Sequence, residues 1–124
     1  MSYKNHFSFE SLDVWQRAVA FAEQVIRQSE TWQTQGKHYR LLEQLEAAVT
    51  SVAMNIAEGK GRYSKKEFTH YLYIARGSLF EVVTLLVIIE RLNWIPVKEL
   101  DELRDQAVII GKMLTKLAQS IRNS

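Results

Sequence analysis

Apolar residues recur along this chain at intervals of three and four in successive blocks, and the alternating pattern of a strand is absent. The first block, Asp13 to Ser29, places Trp15, Ala18, Val19, Ala22, Val25 and Ile26 on one helical face. Ser11 is positioned to cap it, and Asp13 suits the positive end of its first turn. TWQTQGKH, around Gly36, then predicts a loop. The second block, Tyr39 to Glu58, carries the stripe Leu41, Leu45, Ala48, Val49, Val52 and Ile56, and Gly59 fits the left-handed position that ends a helix. The third opens on Ser64-Lys65-Lys66-Glu67, the S-x-x-E capping box, and continues to Leu92 through Phe68, Leu72, Ala75, Leu79, Val82 and Leu86. Pro96 opens the fourth, where its missing N–H has no helical partner to lose, and Leu100, Leu103, Ala107, Ile110, Leu114 and Ile121 keep the spacing.

Helical blocks of similar length on short connections predict an all-α fold, an antiparallel up-and-down four-helix bundle. With 124 residues and no linker, repeat or low-complexity tract, residues 1–124 read as a single domain, with residues 1–10 as a loosely ordered N-terminus. GKGRY falls in the turn between the second and third helices. A hairpin centred near Arg62 sets Ala48 opposite Ala75 and Leu45 near Ser78. On that register Gly77 and Ser78 serve close packing of two backbones, which gives a purpose to a mid-helix glycine costing about 1 kcal/mol relative to alanine. Asn55 and Glu58, three apart, read as partners for the loop backbone and for the exposed N–H groups opening the third helix, or as groups that bind a ligand or order the basic turn.

Composition narrows the function. There is no cysteine, so disulfide and thiolate chemistry are excluded. The opening residues lack a secretory h-region, and the apolar run 79–89 is too short to span a bilayer and holds Glu81, so the expectation is a soluble, cytoplasmic protein. Sixteen basic residues against fourteen acidic ones give a net charge of +2, which permits a nucleic-acid partner without requiring one.

Two surfaces stand out. Lys60, Arg62, Lys65 and Lys66 surround Tyr63 in one turn, the composition of a phosphate contact with a base-stacking ring, or of an ordinary solvated turn partly offset by Glu58 and Glu67. Tyr73, Phe80 and Val87, seven apart, form a second apolar stripe on the third helix, more than a quarter-turn from its inward face. A shared seam of this kind marks an association surface, for self or for another chain; scattered exposed aromatics are the plainer reading. Enzymatic chemistry finds little support. Glu67-Phe68-Thr69-His70 has E-x-x-H spacing, but a di-iron bundle needs two such motifs and further inward glutamates. GKG lacks the spacing and the preceding strand of a nucleotide loop. We therefore expect no enzyme, no cofactor and no metal.

The elements F-x-S-L-D-V-W (9–15), N-I-A-E-G (55–59), R-Y-S (62–64) and I-A-R-G-S-L-F-E (74–81) resemble the bacterial four helix bundle protein family, also called the 23S rRNA intervening-sequence protein family. The resemblance spans nearly the whole chain and carries over Asn55, Glu58, Gly59, Arg62, Ser64, Gly77, Ser78 and Glu81 as motif positions, with no catalytic assignment. It implies an antiparallel bundle assembled as a homopentameric barrel, in proteins encoded within 23S rRNA gene insertions or elsewhere in bacterial genomes. A related branch, accessory to the reverse transcriptase of diversity-generating retroelements, resembles a basic nucleic-acid-binding pentamer and implies RNA or DNA binding. The alternative reading, from the Tyr73, Phe80 and Val87 seam, is a scaffold for a protein partner such as a polymerase, with no direct nucleic-acid contact. Two departures stand against direct transfer. Leu85 replaces a polar residue often found after the G-S-x-x-E element, and this chain is less basic than the retroelement proteins.

Overall fold

The computed structural model describes residues 6–34 and 39–124. Those residues form a short 3₁₀ turn, Ser8–Ser11, and four helices: α1 (Asp13–Ser29), α2 (Tyr39–Lys60), α3 (Lys65–Arg91) and α4 (Val97–Arg122). Gly36 and His38 of the expected loop lie outside the described residues.

Specific pairs fix the topology. Ser51 meets Ser78, and Gly59 lies against Tyr71, so α2 and α3 run antiparallel. Arg76 meets Thr115 and Gly111 faces Leu79, so α3 and α4 do too. Trp32, just past α1, donates its indole N–H to Glu99 at the start of α4 at 2.7 Å, which sets those ends together. The helices therefore alternate in direction, and α1 closes the bundle against α2 and α4. Burial of apolar faces drives this arrangement. Phe21, Val49, Ile56, Leu72, Leu86, Leu103 and Ile110 are almost wholly withdrawn from solvent in one core.

The helix ends explain themselves locally, though not always as expected. Ser64 Oγ accepts from Glu67 N at 3.0 Å, one arm of the anticipated box. Ser11 does not cap α1. Its hydroxyl donates to Ser8 O inside the 3₁₀ turn, and Leu12 takes the cap position without a side-chain bond. Phe7 stacks on Phe9, whose ring meets Trp15 edge-on, so residues 6–11 are held against α1. At the far end of α3, Asn93 adopts φ 65°, with Asn93 N donating to Glu90 O and Trp94 N to Ile89 O. This is a Schellman stop with asparagine in the left-handed position, and it directs Trp94 and Ile95 into the core.

Gly59 corrects the sequence reading. It does not end α2, which continues through Lys60; it sits buried inside the helix. A Cβ there would lie 2.6 Å from Tyr71 Cβ and 3.1 Å from a Phe68 ring carbon. The glycine is required by contact with α3, not by backbone conformation. The hairpin register also differs. Ser78 faces Ser51, six residues on from the expected Leu45, because α2 runs past Gly59 before it turns. Leu85 is buried, so the leucine at that position belongs to the core. Against the expectation from the run 79–89, the whole of α3 is long and apolar enough to cross a membrane by length and composition alone. Its inward residues pack against α2 and α4, while Tyr73, Ile74, Phe80, Ile88 and Leu92 stay exposed.

Candidate binding surfaces

The turn between α2 and α3 presents less free charge than its composition implies. Arg62 donates to Glu58 at 2.6 Å and to the Tyr71 hydroxyl at 2.7 Å, with its guanidinium over the Tyr71 ring. Lys60 stands 5.7 Å above the Phe68 ring. The Lys65 ammonium donates to the main-chain oxygen of Ser124. Lys66 and Tyr63 remain, and Tyr63 is fully exposed. The structure thus brings the five candidates into one turn but engages three of the four cations internally.

Asn55 and Glu58 do not reach the start of α3, as expected of them. Asn55 donates to Ser51 O and Ser51 Oγ, and the Ser51 hydroxyl is in turn 2.9 Å from that of Ser78. This half-buried polar stitch joins α2 to α3 and escaped the sequence reading, because Ser51 pairs with Ser78 only on the observed register. Glu58 serves Arg62. The packing role expected of Gly77 fails: a Cβ there meets nothing within 4 Å, and the residue is exposed on the outer face of α3. Glu81 is exposed on that face as well. Glu67 and His70 are both exposed, and among the described residues no three metal-binding side chains converge.

The second apolar stripe lies where helical geometry puts it. Tyr73 is 36% exposed and Phe80 58%, and the Arg76 guanidinium is 5.2 Å from the first ring centroid and 5.7 Å from the second. Arg76 also donates to Thr115 Oγ1 at 3.2 Å, which fixes the guanidinium between two aromatic rings and α4. Val87 departs from the expectation: it is half-buried and packs on the core, because this flank leans toward α4. In its place the outer face of α3 continues through Ile74, Ile88 and Leu92, all exposed.

Beside the stripe runs a groove between α3 and α4 of about 700 Å³, with Phe80 on one wall and Val108 on the other. Arg76, Arg104, Lys112 and Lys116 line it, and no carboxylate does. The sequence reading missed this feature. Arg104, Val108, Lys112 and Lys116 recur every fourth residue, a signal that reads equally as the solvated side of α4.

Comparison with known proteins places this geometry. Residues 10–116 match the model of a family described as 23S rRNA-intervening sequence protein. Comparison with curated protein sequences finds no match. Among solved structures, the chain is similar to a crystal structure of a protein of unknown function from the S23 ribosomal protein family of Bacteroides thetaiotaomicron. The TM-score is 0.79 at 21% identity, with 86% of this chain and 95% of that chain covered, a likeness of fold. With most of its length matched, from the 3₁₀ turn to the last turns of α4, the chain belongs to the 23S rRNA-intervening sequence protein family.

Proposed function

We propose that this protein is a non-catalytic helical-bundle subunit that works as a homo-oligomer, joined through the outer flank of α3. The observation that carries the reading is the pair of aromatic rings, Tyr73 and Phe80, clamped about Arg76 outside the core. Rigid aromatics with a stacked arginine are the composition of interface anchors, because they bury large area and lose little side-chain freedom on contact. Ile74, Ile88 and Leu92 extend the same face well beyond a scattering of single exposed residues. Light scattering on the unmodified chain at tens of micromolar tests it. A mass several times that of one chain is expected, and a single-chain mass would remove the proposal.

A second reading rests on Tyr63 and Lys66, which project from the α2–α3 turn. Assembly multiplies that turn, and several weak cationic tips on one particle make a nucleic-acid surface that one turn does not. In a gel-shift series against single-stranded RNA and duplex DNA, binding is expected at low salt and should weaken as salt rises. Lys66→Glu with Tyr63→Ala should reduce it about tenfold or more, through the lost phosphate contact and the lost stacking, worth roughly 1–3 kcal/mol per base. Absence of binding at low salt, or binding untouched by the two substitutions, rules this role out.

A further inference from the structure

The groove between α3 and α4 carries charge of one sign. Its floor is apolar, from Leu79, Val83, Ala107 and Gly111, and its only charged lining residues are the four cations. Among the described residues none of those four is within ion-pair distance of a carboxylate; the ion pairs are Arg27–Glu23 and Arg62–Glu58. Gly111 is not demanded by the packing of α3 on α4, since a Cβ would meet only Leu79 Cδ2 at an ordinary 3.5 Å. Its lack of a side chain deepens the middle of the groove instead.

On the reading that copies of this chain associate, this charge decides which surfaces meet. A two-fold contact is self-complementary, so groove against groove would set one copy's four cations against the same four of the other. Like charges brought together and desolvated oppose association by several kcal/mol. The groove therefore meets a different face of its neighbour.

We propose that the groove takes the outward face of α2 from a second copy. That face carries two exposed acids, Glu43 and Glu46, and Met54 stands two turns further on at 67% exposure, while Glu58 beyond it is held by Arg62. Glu43 and Glu46 form no ion pair among the described residues, and Ala47 and Thr50 keep the surface between them and Met54 low. Other acids fit less well. Glu23 is held by Arg27, and Asp101 and Asp105 belong to the helix that forms the groove. The dimensions agree: Glu43 to Met54 spans eleven residues and Arg104 to Lys116 twelve, about 17 and 18 Å of helix. Met54 then supplies the apolar projection for the hollow over Gly111. A contact between unlike faces repeats head to tail, so the assembly closes as a ring or continues as a filament and does not stop at a two-fold dimer.

Paired charge reversals test the assignment by light scattering and sedimentation velocity on the full chain. Lys112→Glu with Lys116→Glu, and separately Glu43→Lys with Glu46→Lys, should each raise the dissociation constant about 100-fold or more, with helical content unchanged, because all four positions are exposed. A 1:1 mixture of the two variants should reassemble, as should a chain carrying all four reversals. Met54→Lys, which leaves the groove unaltered and sets a like charge against its cations, should dissociate the assembly as well. If the wild type assembles while the Glu43→Lys, Glu46→Lys chain and the Met54→Lys chain stay assembled, this pairing is overturned and self-association through α3 stands. A wild type found only as single chains overturns both.

Discussion

Gly59→Val is expected to destabilise the protein by about 3 kcal/mol, enough to lower the urea midpoint sharply at an unchanged slope. The reason is the distance a side chain would have to share. The first added carbon falls 2.6 Å from Tyr71 Cβ, well inside contact, and a Cβ cannot swing aside as a side-chain tip can. Phe68 bounds the same spot through its ring and its carbonyl oxygen, at 3.1 and 3.2 Å. Relief requires α2 and α3 to move apart, which loosens the core they share and strains the Ser51–Ser78 bond. Valine, unlike alanine, brings little helix propensity to offset the clash. Gly77→Ala supplies the contrast. Its new methyl meets nothing within 4 Å, so the single chain should gain up to about 1 kcal/mol from helix propensity. Equal effects at the two glycines would contradict the close contact described for Gly59.

Tyr73→Asp with Phe80→Asp is expected to reduce self-association by about 100-fold or more, with thermal unfolding of the isolated chain little changed. Interface anchors of this type are each worth about 2 kcal/mol or more, and the added carboxylates must be desolvated beside apolar residues. The fold should tolerate the change because both rings lie outside the core cluster. Arg76 loses its two stacking partners but keeps Thr115. Analytical ultracentrifugation over a dilution series reads the effect directly. An unchanged dissociation constant would show that this flank is not the contact.

Helix content and the starts of α1 and α3 were legible because apolar spacing acts locally, as does the Ser64 cap. The periodic block 13–29 is α1, and the Ser64 signal opens α3. The Tyr73 and Phe80 stripe was legible for the same reason, since a sevenfold interval returns nearly to one side of a helix. What failed depended on how two helices meet. Gly59 carries the same letter whether it ends a helix or admits Tyr71, and only the neighbour distinguishes the two. The α2–α3 register hung on that residue, so the partners of Ser78 and the surroundings of Gly77 were misplaced with it. The turn's cations could be counted but not their engagements with Tyr71, Phe68 and Ser124, which come from elsewhere along the chain. The groove was invisible because it needs Phe80 of α3 and Lys112 of α4 side by side.

The claim on which the functional account turns is that the outer flank of α3 is covered by another copy of the chain. Hydroxyl-radical footprinting of Tyr73 and Phe80 across a protein concentration series measures this at the residues concerned, with Tyr63 as an internal reference. Both α3 rings should become several-fold less reactive as the particle mass rises, while Tyr63 holds steady. Reactivity of Tyr73 and Phe80 that stays constant through assembly would contradict the account.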